Sequence, residues 1–99
     1  MMEEVEMIKV LTVCGNGIGS SLLLKMKIEE IAREEGIEIE AESIDSGAAA
    51  GKTADLIVTV KEFQSLFSDK QKVAVVRSFT NKKKIKEDVL PVLEELAGK

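Results

Sequence analysis

The stretch Cys14-Gly15-Asn16-Gly17-Ile18-Gly19-Ser20-Ser21 decides how this chain folds. The apolar run 8–13 leads into it, and a helical pattern that starts at about Ser20 leads out of it. The order is therefore strand, glycine-rich turn, helix. In this arrangement successive backbone N–H groups and the positive end of a helix dipole point at one spot. We expect Cys14 to lie at the mouth of that spot.

A thiol in this position is suited to carry a negative charge. Backbone dipoles lower the pKa of such a thiol from about 8.5 into the range of roughly 3.5–7.5. The same amides would hold a dianionic phosphoryl group on the sulfur, because glycines and Asn16 tolerate the backbone angles that let N–H groups converge. Ser20 and Ser21 can cap the helix or donate hydroxyl hydrogen bonds to the anion. The alternative is that Cys14 is a small buried hydrophobe.

Length and composition predict a single domain over residues 1–99, with a flexible lead-in over 1–7. The net charge of −4 argues against nucleic-acid binding. No apolar run approaches the roughly 20 residues that span a bilayer, and one cysteine cannot form an internal disulfide. We therefore expect a cytoplasmic protein. The sequence contains no histidine, which excludes a Cys-His pair and imidazole metal ligands, so we expect neither metal nor cofactor.

Alternating strands and helices predict an α/β fold, because β-α-β units build a parallel sheet. The second strand alternates apolar residues with glutamates, which is typical of an edge strand. The expected architecture is a small doubly wound sheet of four parallel strands in the order 2-1-3-4, with a phosphatase-like P-loop after strand 1. Ligands bind such sheets at the carboxyl ends of the strands, beside the switch between strands 1 and 3. The predicted strands are 8–13, 37–44, 56–60 and 72–76, and the predicted helices are 20–35, 48–53 (weak), 61–68 and a last one from 81.

The first helix has a predicted buried stripe and a predicted end at Gly36. Leu22, Leu23 and Met26 are expected to widen the stripe as core contacts. Pro91 interrupts the last helical pattern, so that helix either kinks or restarts near it with the proline in the first turn. The stripe consists of Leu24, Ile28, Ile31 and Ala32.

Some charged residues outside the loop have two open interpretations. Arg77 follows the fourth strand, where it would contact a phosphate or a partner, or simply lie on the surface. The lysines of the run 82–86 oppose the dipole at the start of the last helix. They indicate docking to an acidic partner or a membrane-proximal surface, or else a solvated face. Asp45 and Asp55 lie near strand ends and receive no chemical role.

The loop resembles the phosphocysteine loop of IIB components of the bacterial phosphoenolpyruvate-dependent sugar phosphotransferase system (PTS). It is most similar to the ascorbate and galactitol types, whose loops read cysteine-glycine-(asparagine or threonine)-glycine-x-glycine-serine-serine. The segment Lys25-Met26-Lys27 is similar to the ascorbate type. In this family the cysteine accepts a phosphoryl group from a phosphohistidine on a IIA partner and passes it to a sugar bound in the membrane component IIC.

The resemblance implies that Cys14 is the nucleophile and that the amides of residues 15–21 cradle the phosphate. It also implies a protein that meets the inner face of the membrane through IIC, and we expect a monomer when the chain is alone. The sugar is ascorbate-like or galactitol-like by the same resemblance.

Three alternatives remain open at this point. The loop also resembles that of low-molecular-weight tyrosine phosphatases, which have arginine at the sixth position after the cysteine, where this chain has Ser20. The guanidinium that would grip the transition state is therefore absent. A IIB-like regulatory phospho-switch would use Cys14 in the same way. A thiol redox protein would need a second cysteine to resolve its disulfide.

Overall fold

The computed structural model describes residues 7–14, 18–45, 47, 52–67, 71–78 and 80–98. For Cys14, Asp45 and residues 18–21 the description is limited to the backbone. Within these ranges no helix is long and apolar enough to cross a membrane. The elements in chain order are β1 (Ile8–Cys14), α1 (Ile18–Glu34), β2 (Ile39–Asp45), β3 (Leu56–Thr59), a 3₁₀ helix (Lys61–Leu66), β4 (Val73–Val75) and α2 (Lys82–Ala97).

The sheet has the predicted strand order. Its strands lie as β2-β1-β3-β4, and all three neighbouring pairs are parallel. β1 pairs with β2 along its whole length, from Ile8 opposite Ile39 to Cys14 opposite Asp45. On its other side β1 pairs with β3 over residues 10–12. The nearly continuous apolar sequences of β1 and β3 suit these inner positions, because a central parallel strand is buried on both faces.

β2 lies at an edge of the sheet, as its alternating sequence predicts. Glu38, Glu40 and Glu42 are exposed, whereas Ile37 is buried and Ile39 packs against the core. Charged side chains along an edge strand discourage pairing with the edge of another sheet. The glutamates are therefore a solvated face, which is the interpretation that the sequence favours.

Two apolar clusters lie on opposite faces of the sheet, because successive strand residues point to opposite sides. Val10, Val58 and Ala74 face α1 and α2 in the larger cluster. Leu11 and Ile57 belong to the smaller cluster on the other face. Burial of each large aliphatic side chain contributes about 1.5–3 kcal/mol, so among the described residues the helical face contributes more to stability than the other face does. The helix residues of the larger cluster are Leu24, Ile28, Ile31, Ala32, Ile85, Val89 and Leu93.

The predicted stripe of α1 is buried, but the prediction that Leu22, Leu23 and Met26 are core contacts is wrong. Their side chains are 41%, 46% and 52% exposed, whereas Leu24 is fully buried. An α-helix turns by about 100° per residue, so Leu22 and Met26 lie on the side opposite Leu24. The apolar residues at the start of α1 therefore extend around the helix beyond the face that the sheet and α2 cover.

Both α-helices end or begin at residues with capping geometry. Gly36 follows α1 with φ 71°, the left-handed conformation predicted for it. Asn81 precedes α2, and its Oδ1 accepts a hydrogen bond of 3.1 Å from the N–H of Lys84. Pro91 lies inside α2, which continues past it as one element. The alternative of a helix that restarts before the proline is therefore wrong.

The remaining predicted elements are shorter in the structure. The segment 61–68 forms its 3₁₀ helix over six residues, and β4 has three residues where five were predicted. For the weak helix predicted over 48–53, residues 48–51 lie outside the described part of the chain. Lys52 and Thr53 are described and have no regular structure. The lead-in falls outside them except for Met7.

Candidate functional site

Cys14 is the last residue of β1, an inner strand of the sheet. Its backbone lies opposite Asp45, the last residue of β2. Gly15, Asn16 and Gly17 separate it from α1, and these three residues lie outside the described part of the chain. The order of strand, short loop and helix is the one that the sequence predicts.

The first turn of α1 contains the helical N–H groups nearest in sequence to Cys14. α1 begins at Ile18, two residues before the predicted start, and its first turn holds no acidic residue. The first four N–H groups of an α-helix have no partner within the helix, and the helix dipole adds partial positive charge there. The amides of residues 18–21 thus belong to a helix N-terminus, an environment that favours an anion.

Cys14 also lies where the strand connections change direction. The pairing of β1 with β3 ends at Thr12 opposite Val58, whereas β1 continues beside β2 as far as Cys14. The chain passes from β1 to its neighbour β2, and from β3 to β4 on the other side. The topological switch therefore lies between β1 and β3, as predicted. Ligands of parallel sheets bind at the carboxyl ends of the strands beside such a switch.

Thr59, the last residue of β3, connects β3 to β1 beyond the end of their pairing. Its Oγ1 donates a hydrogen bond of 3.1 Å to the carbonyl oxygen of Val13, and its side chain is fully buried. That carbonyl belongs to the peptide group whose nitrogen is the backbone nitrogen of Cys14. Thr59 gives no functional signal in the sequence, because a threonine in a strand is an ordinary strand former. The strand register reveals its contact.

Arg77 is held by α2. Its Nε donates to Oδ2 of Asp88 at 3.1 Å, and a terminal guanidinium nitrogen donates to Oε1 of Glu87 at 2.9 Å. Its backbone N–H donates to the same Asp88 oxygen at 3.1 Å. The hydrogen bonds to Asp88 and then to Glu87 raise the pKa of Arg77 above its ordinary value. Of the two interpretations of Arg77, contact with a phosphate or partner and a place on the surface, these contacts favour the second, because the guanidinium is bound to carboxylates of its own chain.

The lysine run is divided between two roles. Lys82 donates to Glu30 at 3.1 Å and to Glu34 at 2.6 Å, so it joins α2 to α1. The hydrogen bond with Lys82 lowers the pKa of Glu34, and the same bond is the main cause of the raised pKa of Lys82. These carboxylates offset the unfavourable placement of lysine at a helix start. Lys86 pairs with Glu35 at 3.2 Å.

Lys83 and Lys84 are the members of the run that stay in solvent. Both are exposed, and neither makes an ion pair with another described residue. The exposure of these two lysines fits both interpretations left open by the sequence, the docking surface and the solvated face. Lys82, in contrast, pairs with carboxylates of α1, and Lys86 pairs with Glu35, the residue after α1.

The other end of the sheet holds Asp55 and a surface cavity. Asp55 accepts a hydrogen bond of 2.9 Å from the backbone N–H of Lys9, so it holds the start of β1. A surface cavity of about 540 Å³ is lined by Met7, Arg33 and Gly36, among others, at this same amino end. Across the described ranges no group of three or more His, Cys, Asp or Glu side chains could hold a metal ion.

The first turns of α1 present an apolar surface close to the loop. It consists of Leu22, Leu23 and Met26, which we call the α1 apolar face. These residues lie about 6–12 Å along the helix axis from Ile18. A projection of the sequence onto a helix places these three residues away from the buried Leu24. The surface could therefore have been identified from the helical periodicity.

Comparisons with known proteins agree on one family. Residues 9–92 match the sequence profile described as "PTS system, Lactose/Cellobiose specific IIB subunit". The "Ascorbate-specific PTS system EIIB component" of Mycoplasma pneumoniae is 32% identical over 88 residues, which cover 85% of this chain and 93% of that protein. The solved structure of a lactose-specific IIB domain from Streptococcus pneumoniae superposes with a TM-score of 0.56 at 17% identity, over 92% of this chain and 95% of that one. At that identity it shows a shared fold.

Proposed function

Because the chain belongs to the IIB subunit family of the phosphoenolpyruvate-dependent sugar phosphotransferase system, we propose that it carries a phosphoryl group on Sγ of Cys14. IIB components are phosphotransferases that serve sugar transporters. The observation that carries the proposal is the backbone position of Cys14. It ends an inner strand at the switch point, and three residues separate it from Ile18, the first residue of α1.

In the first step the Cys14 thiolate attacks the phosphorus of a phosphohistidine on a IIA protein. A P–S bond forms as the P–N bond breaks, and the histidine leaves with the electron pair of that bond. The amides of residues 15–21 bind the phosphoryl oxygens, and the hydroxyls of Ser20 and Ser21 add donors. Phosphoryl transfer depends mainly on positioning and on donors aimed at the phosphoryl oxygens, so a preformed helix N-terminus is well suited to it.

In the second step a sugar hydroxyl in the membrane component IIC attacks the same phosphorus. A P–O bond forms, the P–S bond breaks, and Cys14 returns as a thiolate. The hydroxyl proton goes to a base of IIC or to water. A thiolate of low pKa is a good leaving group, which favours the onward transfer.

The positions of the arginines support a carrier rather than a phosphatase. The sequence has two arginines, Arg33 and Arg77. Arg33 lies in the last turn of α1, about 22 Å along the helix from Ile18. Arg77 is bound to Asp88 and Glu87 of α2. A site without a guanidinium does not stabilise the transition state of hydrolysis in the way that a phosphatase does, so the thiophosphate persists until a sugar arrives.

The partners are expected to meet the α1 apolar face. Leu22, Leu23 and Met26 are exposed and follow directly on the amides proposed to bind the phosphate. IIA and IIC must each bring a reacting atom to the same sulfur, so each partner covers this end of α1 in turn. An apolar patch next to the reacting group provides contact area without requiring a fixed set of polar partners.

Ascorbate is the sugar that we propose. The 32% identical relative is named as ascorbate-specific, and the loop and Lys25-Met26-Lys27 are similar to that type. The profile that matches residues 9–92 is described for lactose and cellobiose, so these sugars, together with galactitol, are the alternatives to test.

The function is tested by following the phosphate from phosphoenolpyruvate to the sugar. The chain is incubated with labelled phosphoenolpyruvate, the two general carrier proteins and candidate IIA proteins. We expect label on the wild type and on Ser78→Ala, a serine variant outside the site, and none on Cys14→Ser. Membranes that contain the matching IIC should then yield labelled ascorbate phosphate. Absence of label with every IIA protein would contradict the proposal, and labelled lactose, cellobiose or galactitol would correct its substrate.

A further inference from the structure

Two buried polar side chains lie within the described part of the sheet, and they make different contacts. Thr12 and Thr59 are both fully buried. Thr12 Oγ1 donates to the carbonyl oxygen of Glu42 in the edge strand β2, at 3.4 Å. Thr59 Oγ1 donates to the carbonyl oxygen of Val13, at 3.1 Å. The second contact fixes the peptide group that leads directly into Cys14.

Thr59 is itself anchored from the opposite side. Its carbonyl oxygen accepts a hydrogen bond of 2.8 Å from the N–H of Val76, the residue after β4. The backbone pairing of β1 with β3 has already ended at Thr12 and Val58. The Thr59 hydroxyl therefore links β3 to β1 where the backbones of these two strands stop pairing. The backbone of Thr59 is in turn held by the N–H of Val76, which follows β4.

We propose that Thr59 is a positioning residue for phosphoryl transfer, and that its hydroxyl fixes the orientation of the Val13–Cys14 peptide and with it the direction in which the thiol leaves β1. This inference rests on the proposed function of Cys14. The bond also keeps the oxygen end of that peptide dipole turned towards β3.

Removal of the hydroxyl leaves a buried acceptor without its donor. Such an acceptor is costly, so the peptide reorients towards another donor or towards water. A displacement of the reacting atom by about 1 Å lowers a rate by as much as about 100-fold. Because the bond acts on the peptide of Cys14, its loss should change the chemistry of the thiol as well as the stability of the sheet.

The test compares Thr59→Val with Thr12→Val and Thr59→Ser. Both valine variants remove a fully buried threonine hydroxyl that donates to a carbonyl of a neighbouring strand, but in Thr12→Val that carbonyl belongs to Glu42, away from the Cys14 peptide. The serine variant keeps the hydroxyl. Cys14 is the one cysteine of the sequence, so the rate of alkylation by iodoacetamide as a function of pH reports its thiol pKa on the chain alone. The rate of labelling by phosphorylated IIA is measured in parallel.

For Thr59→Val we expect a thiol pKa raised by about half a unit or more and a labelling rate lowered about 10- to 100-fold. Thr12→Val and Thr59→Ser should stay near the wild type in both measurements, although urea unfolding shows a loss of stability in both valine variants. Equal thiol pKa and labelling rates in Thr59→Val and Thr12→Val would overturn the inference, as would a Thr59→Ser variant as impaired as Thr59→Val.

If Thr59→Val does not fold, Thr59→Ala and Thr59→Ser are compared at a temperature where circular dichroism shows both folded, with the same expectations. If the proposed function itself is wrong, the wild type already behaves differently from our expectation. In that case the wild-type thiol itself titrates near 8.5 and takes no label. A wild type with a lowered thiol pKa and rapid labelling, unchanged by Thr59→Val, would remove only the role of Thr59.

Discussion

The two halves of α1 make different contacts. Its second half is joined to α2 by ion pairs, with Glu30 and Glu34 bound to Lys82. Its first half exposes Leu22, Leu23 and Met26 beside the loop of Cys14. The second half is joined to α2 by these ion pairs, and our proposed function assigns the exposed side of the first half to partner contact. On that proposal, one 17-residue helix serves both the core and a site of transient contact.

The largest expected effect is the difference in stability between alanine substitutions at two adjacent leucines of α1. Leu24 is fully buried and Leu23 is 46% exposed. Leu24→Ala should lower the free energy of unfolding by about 2–5 kcal/mol, whereas Leu23→Ala should change it by less than about 0.5 kcal/mol. Urea denaturation followed by circular dichroism measures both. Equal losses in the two variants would mean that the apolar face of α1 is covered by the protein itself.

The next effect concerns partner binding and not stability. Met26→Glu places a charge on the α1 apolar face, so the rate of labelling by phosphorylated IIA should fall about 10- to 100-fold. Met7→Glu is the matched control, because Met7 is 44% exposed but precedes β1 at the opposite end from Cys14. Both variants should unfold at the urea concentration of the wild type. If Met7→Glu slows labelling as much as Met26→Glu, the α1 apolar face is not where IIA binds.

The smallest effect is expected from the ion pairs between the helices. Lys82→Gln should lower the urea midpoint slightly, with less effect in high salt, and should leave the labelling rate unchanged. Lys83→Gln, at an exposed position, should change neither. The folded-state pKa of Glu34 is lowered, so its contribution is present above the ordinary carboxyl pKa and is lost as the pH falls through the lowered value.

The contribution of Lys82 has the opposite pH dependence. Its folded-state pKa is raised, so its contribution is full below the ordinary lysine pKa and is lost as the pH rises through the raised value. The stability difference between wild type and Lys82→Gln should therefore be largest between these limits and should disappear in acid and in strong alkali. A difference that is independent of pH would show that Lys82 stabilises the fold by packing and not by its charge.

The fold could be predicted from the sequence because its signals are local. The glutamates of β2 identify an edge strand, and continuous apolar runs identify β1 and β3 as inner strands. Leu22 and Met26 do not follow this rule, because their apolar character alone does not tell which side of the helix they occupy. The sequence also leaves the helix undecided at Pro91, where the packing of α2 outweighs the loss of one hydrogen bond.

The site was only partly predictable, because some of its contacts join residues distant in sequence. The place of Cys14 before a helix start follows from the order of strand, loop and helix. The bond from Thr59 to Val13 joins positions 46 residues apart, and it depends on the register of β3 against β1. The partner of Arg77 likewise depends on where α2 packs. Neither contact leaves a pattern in the sequence around it.

The most direct test of the central claim is to locate the phosphoryl group on the chain. The wild type is phosphorylated through phosphoenolpyruvate, the general carriers and IIA, then digested and analysed by mass spectrometry before and after treatment with iodine, which cleaves thiophosphates. We expect the phosphate on the peptide that contains Cys14, bound to its sulfur and absent after iodine. A phosphate on Ser20 or Ser21 that survives iodine, or a Cys14 thiol that remains unmodified throughout, would contradict a phosphocysteine carrier.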